Sequence, residues 1–500
     1  MALAAPTQEQ IKRIAEHNHL HLSPAELSAL SSIMSAQIEV LEKLDSTTIA
    51  PLDSSARYPD RKVTSKPDRK DDPLNAIVLR CSVEGAPHGK LKGKRIGLKD
   101  SVCVAGLPAT GGSAVLQGFV PGVDATIVTR MLDAGAEIVA VLNMDDFALS
   151  GDGRTSTYGP TGNPHNPAYC SGGSSSGSGA ALYYDGIDMT IGTDQGGSIR
   201  IPSSWCGTVG IKPTYGLVPY SGVMSIDPSL DHVGPMARTT HEVALLLEVI
   251  AGSDPLDQRQ RGKIRVEPYV DLLEQSVAGL KVGVVREGFE HQGAEADVNA
   301  AVRNSISALE RLGIDAREIS IPEHRTAADW LFAIVPEGMA MLAHSKLMGT
   351  HHPGAYISSL GEHFGQGMLA RANDEAITVK LMLVLGEYLR EHYHSRLYAK
   401  AQNYRATLRG IYDAALSEVD VLAMPTTPMK ARRIDDATPY SMITNTAPFD
   451  LTGHPSLSVP CAKSNGLPVG LMLTGRHFED STILRLAHAY EKSVDWQKVS

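Results

Sequence analysis

Cysteine is scarce in this chain. Its five residues, Cys81, Cys103, Cys170, Cys206 and Cys461, are far apart, odd in number and nowhere spaced as CxxC. This argues against a disulfide framework or a cysteine zinc site and fits reduced thiols in a cytoplasmic protein. Long apolar runs are missing as well. None approaches the ~20 residues that a membrane-spanning helix needs. The stretch from Met1 to Lys12 lacks a basic region followed by an apolar core. The expectation is a cytoplasmic protein with neither signal peptide nor membrane partner. A basic surplus is also lacking. Lys and Arg total 46 against 56 Asp and Glu, a formal charge of −10, which disfavours a nucleic-acid surface. The basic cluster from Arg61 to Lys70 is interleaved with Asp60, Asp68, Asp71 and Asp72 and reads as a solvated linker. No internal repeat is found.

What is present describes a globular protein with a sizeable core: 42% hydrophobic and 20% charged residues. Ser23-Pro24-Ala25-Glu26 is a capping box with proline at the first helical position. Leu27, Leu30, Met34, Ile38, Leu41 and Leu44 follow at steps of three and four, one apolar helix face. A short helix from Gln8 to His17 is expected before it. Pro51, Pro59, Pro67 and Pro73 punctuate the linker that follows. Beyond it, strand-like runs (Arg95 to Leu98, Ile138 to Leu142, Ile187 to Gly192, Leu280 to Val285, Val419 to Ala423) alternate with helical ones. The helical runs are Asp124 to Ala134, Asn299 to Leu312 and Ser481 to Lys492. Such alternation predicts an α/β fold, a parallel or mixed sheet covered by helices. Residues 326–416 break the rhythm. They are helix-compatible throughout, and their aromatics Trp330, Phe332, Phe364, Tyr388, Tyr393 and Tyr398 are expected mostly in the core.

Two islands carry candidate chemistry. The first runs Ser171-Gly172-Gly173-Ser174-Ser175-Ser176-Gly177-Ser178-Gly179-Ala180. It reads as a flexible linker, a phosphate loop or a plain turn. Ordered-looking sequence on both sides weakens the first reading. The lack of GxxxxGK[ST] or GxGxxG weakens the second. The second island is Gly192-Thr193-Asp194-Gln195-Gly196-Gly197-Ser198-Ile199-Arg200. Paired glycines before a serine let the backbone turn tightly and aim several N–H groups at one point, as a developing oxyanion requires. A serine nucleophile needs a base. Neither island holds a histidine, and His232, His454 and the others are scattered, each structural when taken alone. A neutral lysine can serve, because burial disfavours the ammonium form. Lys99, after the strand-like Arg95 to Leu98, is the candidate. Read alone, it is more often an ion-pair partner, for instance of Asp100.

Gly97-Leu98-Lys99-Asp100, Gly172-Gly173-Ser174-Ser175-Ser176-Gly177 and Asp194-Gln195-Gly196-Gly197-Ser198-Ile199-Arg200 together resemble the amidase signature family. Ser174 lies 75 residues after Lys99 and Ser198 a further 24, spacings similar to that family's Ser–cisSer–Lys triad. The resemblance continues through Gly210-Ile211-Lys212-Pro213-Thr214, Gly216-Leu217-Val218-Pro219, Asp231-His232-Val233-Gly234-Pro235 and Met424-Pro425-Thr426, and ends at Asp450-Leu451-Thr452-Gly453-His454-Pro455.

The resemblance implies a mixed twisted sheet flanked by helices, with a small helical N-terminal appendage. It implies catalysis by Lys99, Ser174 and Ser198. Ser198 is the nucleophile that forms an acyl-enzyme, and Ser174, after a cis peptide bond, relays the proton to Lys99. The oxyanion hole falls to the N–H groups of Gln195, Gly196, Gly197 and Ser198. Asp194 and Arg200 brace the loop, while Ser171 and Ser175 bond the triad or satisfy the loop backbone. No metal and no cofactor are implied.

Gln195, where many members have Thr, together with Leu217-Val218-Pro219-Tyr220, is closest in wording to the nitrile-pathway amidases. These cleave small carboxamides to acid and ammonia or amine, and their N-terminal segment helps form a homodimer. The expected division is residues 1–65 as helical segment and linker, and 66–500 as catalytic domain with a helical pocket insertion at 326–416. Rival readings are the amidase component of a glutamine-dependent tRNA amidotransferase, an ester or carbamate hydrolase using the same triad, and a non-catalytic scaffold.

Overall fold

The computed structural model describes residues 3–47, 56–64, 66–257, 259–260, 262–349, 354–438 and 440–499. It divides into two units, residues 1–53 and 54–500. The first holds helices Gln8–His17 and Pro24–Asp45, which pack on each other. Both begin with capping boxes, Thr7 with Gln10 and Ser23 with Glu26, that satisfy otherwise orphaned first-turn N–H groups. No residue of Pro24–Asp45 is buried, and Ile33, Val40, Leu41 and Leu44 are about half exposed or more.

The second unit is built on strands β1 (Arg61–Val63), β2 (Ile77–Glu84), β3 (Arg95–Lys99), β4 (Glu137–Leu142), β5 (Gly162–Asn163), β6 (Asn166–Cys170), β7 (Met189–Asp194), β8 (Val209–Lys212), β9 (His232–Ala237), β10 (Lys281–Val285), β11 (Asp315–Ile319), β12 (Val421–Pro425), β13 (Ser456–Ser464) and β14 (Leu467–Thr474). All except the β5–β6 pair join one sheet, ordered β1-β2-β4-β3-β7-β9-β8-β13-β14-β12-β10-β11. β3 runs parallel to β4 and β7, and β10 runs parallel to β11 and β12, whereas β7–β9, β8–β13 and β13–β14 are antiparallel. The sheet is therefore mixed, as expected. Every residue of β7, β8, β9, β12 and β14 is buried. Strands covered on both faces need no polar alternation, and β12 is apolar throughout. Helices provide the cover. Thr126–Asp133 buries Ile127, Val128, Met131 and Leu132, and Asp480–Ser493 buries Ile483, Leu484, Leu486, Ala487 and Tyr490.

Three expectations change. Residues 48–55 and 65 of the expected linker lie outside the described residues, but Arg61–Val63 is an edge strand paired antiparallel with β2. The sheet-bearing unit therefore includes Arg61–Val63. Arg61 is not solvated. Its guanidinium forms a bidentate pair with Asp124 at 2.7 and 2.6 Å, both side chains buried. A three-residue charged edge strand has too short a pattern to read from sequence. Third, half of the six aromatics stay out of the core, while Trp330 and Tyr398 pack against it partly buried. Phe364 is buried, Trp330 stacks on Tyr404 at 4.3 Å, and Phe332, Tyr388 and Tyr393 are exposed. The insertion is helical as expected, with Val335–His344, Ser358–Arg371, Ile377–Tyr393 and Arg396–Glu418 as its main helices. All five cysteines are buried and unpaired. Among the described residues no helix is long and apolar enough to cross a membrane.

Candidate active site

Parallel neighbours β3 and β7 end at the same edge of the sheet, where open α/β sheets place their ligand crevices. Lys99 is the last residue of β3 and Asp194 the last of β7. The serine-rich loop enters from the side. Ser176–Ala180 is helical, and the loop before it presents Ser174 after a cis Gly173–Ser174 peptide. The glycines here answer to close approach. Gly172 has φ +80°, and a Cβ on it would sit 2.8 Å from Pro202 Cα. A Cβ on Gly173 would sit 2.0 Å from Asp145 Oδ2. That carboxylate accepts N–H bonds from Gly153 and Thr155, both 2.9 Å, and pins the loop floor.

Lys99 is fully buried. Its Nζ lies 2.8 Å from Ser174 Oγ and 2.8 Å from Thr193 Oγ1. No ion pair among the described residues includes it. Asp100 instead accepts from the N–H groups of Thr110 and Gly112 at 3.0 and 3.1 Å. Burial lowers the Lys99 pKa to about 7, against the opposing pull of Asp145 and Asp194. Two hydroxyls bond the amine without stabilising its charge as a carboxylate would, so desolvation wins.

Ser198 follows β7 on a loop held from beneath. Arg200 is fully buried. It donates from Nε and a terminal nitrogen to Asp194 at 3.0 Å each, to Asp450 Oδ2 at 2.7 Å and to Thr446 O at 2.8 Å. Burial alone would raise the Asp194 pKa. The Arg200 charge, with hydrogen bonds from Arg200 and Ile199 N–H, outweighs burial and holds the carboxylate well below its usual range. Arg200 thus ties Asp194 to Asp450 beneath the loop, and Thr446 donates to Gly196 O at 2.6 Å.

The remaining residues fall in different places. Gly197 departs from expectation. Its N–H donates to Asp194 Oδ1 at 2.5 Å and is not free to join an oxyanion cradle. Gly196 and Ser198 N–H groups are uncommitted among the described residues. Gln195 turns its side chain away, donating to Tyr220 Oη and Asp231 Oδ1, both 2.9 Å. Ser175 ties the two islands together. Its N–H donates to Ser198 O at 3.3 Å, and its hydroxyl both donates to Thr193 O and accepts from Thr193 N–H, each 3.2 Å. The Ser171 hydroxyl donates to Gly172 O at 3.1 Å, while its N–H donates to Thr161 O at 3.3 Å. The Ser198 hydroxyl makes no hydrogen bond to the described residues, so its expected link to Ser174 is not formed in this structure.

Sequence reasoning missed Thr193, Asp145, Thr446, Tyr220 and the roles of Asp231 and Asp450. Thr193 stood inside the second island, and Asp231 and Asp450 stood inside the later motifs. Asp145 had no local signal.

Residues 76–484 match the Amidase family. An enantioselective amidase of Rhodococcus rhodochrous is 38% identical over 510 residues, covering 99% of this chain and 96% of that protein. A glutamyl-tRNA(Gln) amidotransferase subunit of Methanosarcina acetivorans is 39% identical over 426 residues, covering 83% of this chain and 87% of that protein. The native peptide amidase from Stenotrophomonas maltophilia superposes with a TM-score of 0.69 at 29% identity, covering 81% of this chain and 83% of that one. The chain is an amide-hydrolysing enzyme and belongs to the amidase family.

Proposed function

We propose that this enzyme hydrolyses small carboxamides through an acyl-enzyme on Ser198, with Lys99 as base and Ser174 as relay. The observation that carries the reading is the buried, ion-pair-free Lys99 amine 2.8 Å from Ser174 Oγ. With Lys99 neutral, the Ser174 hydroxyl donates to Nζ and can accept the Ser198 proton once Ser198 turns towards it. Ser198 Oγ then attacks the amide carbon. The carbonyl oxygen becomes an oxyanion facing the N–H groups of Gln195, Gly196 and Ser198. The proton held on Lys99 returns through Ser174 to the amide nitrogen, the C–N bond breaks, and ammonia or an amine departs. Water attacks the ester, gives its proton to the same relay, and the acid leaves with Ser198 restored.

The similarity to amidotransferase subunits supports a second reading, in which glutamine is the amide and a partner receives the ammonia. The isolated chain should release ammonia from acetamide- and benzamide-type substrates unaided. Activity confined to glutamine, or dependent on an added partner, would favour the second reading. The exposed stripe of Pro24–Asp45 supports a homodimer joined through the N-terminal helices. The unpaired buried cysteines support a cytoplasmic location.

A further inference from the structure

Away from the catalytic loops, three side chains from distant parts of the chain converge. Asp413 lies on the helix Arg396–Glu418, His454 in the turn between the helix Ala447–Thr452 and β13, and His477 just after β14. One ligand atom from each lies within 4.8 Å of the other two. His454 Nε2 is 2.9 Å and His477 Nδ1 3.8 Å from Asp413 Oδ1.

One residue, Thr452, holds both rings. His477 Nε2 is 3.0 Å from Thr452 O, a carbonyl that can only accept, so Nε2 carries the hydrogen and Nδ1 its lone pair. The Thr452 hydroxyl holds the other ring, 2.9 Å from His454 Nδ1 and 2.9 Å from Pro448 O, and turns His454 Nε2 towards Asp413 Oδ1. Two imidazole nitrogens and a carboxylate oxygen thus face one another at the spacing of a metal's ligands.

We propose that Asp413, His454 and His477 bind a divalent transition ion of the zinc type, through Asp413 Oδ1, His454 Nε2 and His477 Nδ1. Bonds of about 2.0–2.1 Å in a tetrahedron put ligand atoms about 3.3 Å apart, between the two separations seen here. Imidazole nitrogen with one carboxylate is a donor set for such ions rather than for calcium or magnesium. Thr452 fixes both rings from behind, as outer-shell partners of metal-bound histidines do. The Asp413 side chain is 53% exposed, which leaves an entry path and a position for water. Arg409 Nε donates to the same Thr452 carbonyl at 2.9 Å. An ion here would fasten the Arg396–Glu418 helix to the segment whose Asp450 holds Arg200.

The test uses the untagged full chain, stripped with a chelator and titrated with Zn²⁺, then with Co²⁺ for its visible spectrum. One equivalent should bind, Co²⁺ should show the bands of a four-coordinate N/O site, and Zn²⁺ should raise Tm. Asp413→Asn and His477→Gln lie at the solvent side, and each should weaken Zn²⁺ binding at least tenfold. Absence of saturable one-to-one binding in the wild-type chain would overturn the proposal. So would affinity unchanged in both variants. A His454 Nε2–H resonance that survives excess Zn²⁺ would also overturn it, because the group would then be a plain Asp–His hydrogen bond.

Discussion

The Lys99 amine makes a quantitative demand on the pH profile. An ordinary lysine at 10.5 would be about 0.03% neutral at pH 7, whereas one lowered to about 7 is about half neutral. Burial thus raises the basic form by about three orders of magnitude. The sign follows from which form acts. The base is the neutral amine, so activity is present above pH 7 and is lost as pH falls through it. kcat/KM for a small primary amide should rise about tenfold between pH 6 and pH 8, then level off. Lys99→Ala should lose about 10²–10⁴-fold, the usual worth of a general base, and flatten the profile. The assay is ammonia release across pH 5.5–9, with circular dichroism at each pH to exclude unfolding. A profile that is flat or falls from pH 6 to pH 8 would refute the reasoning. So would a folded Lys99→Ala enzyme retaining a tenth or more of the activity.

Ser198→Ala should abolish turnover and leave Tm within a degree or two, because its hydroxyl bonds none of the described residues. Wild-type-like turnover would remove it from the mechanism. Arg61→Met should cost about 3–5 kcal/mol by stranding the buried Asp124 carboxylate. Denaturant melts will read this directly, and a loss below 1 kcal/mol would mean that water reaches the pair. Removing residues 1–53, which spares β1, should lower the solution mass from dimer to monomer. A light-scattering mass that stays dimeric would place the interface elsewhere.

Local information in the sequence determined local structure. The Ser23 and Thr7 caps, the steps of three and four along the helices, and the short apolar runs each depend on residues within one or two turns. The structure puts helices and strands there, with ends moved by a few residues. The two serine-bearing islands were likewise legible, because tight loops need glycine at particular places in the chain. Tertiary structure decided what distance along the chain conceals. Lys99 gains its depressed pKa from burial at the end of β3, which no pattern near it announces. Gly173 is required by Asp145, 28 residues earlier and on another loop. Gly197 loses its N–H to Asp194 through the detailed turn of the loop, not through its composition. Arg61 looked solvated until Asp124 met it. The Asp413, His454 and His477 group draws on three separate elements, so their spacing in the chain carries no ligand signature. Periodicity reports which face of an element is apolar. Folding alone brings charges, lone pairs and hydroxyls from distant elements into one dry site, where desolvation sets their chemistry.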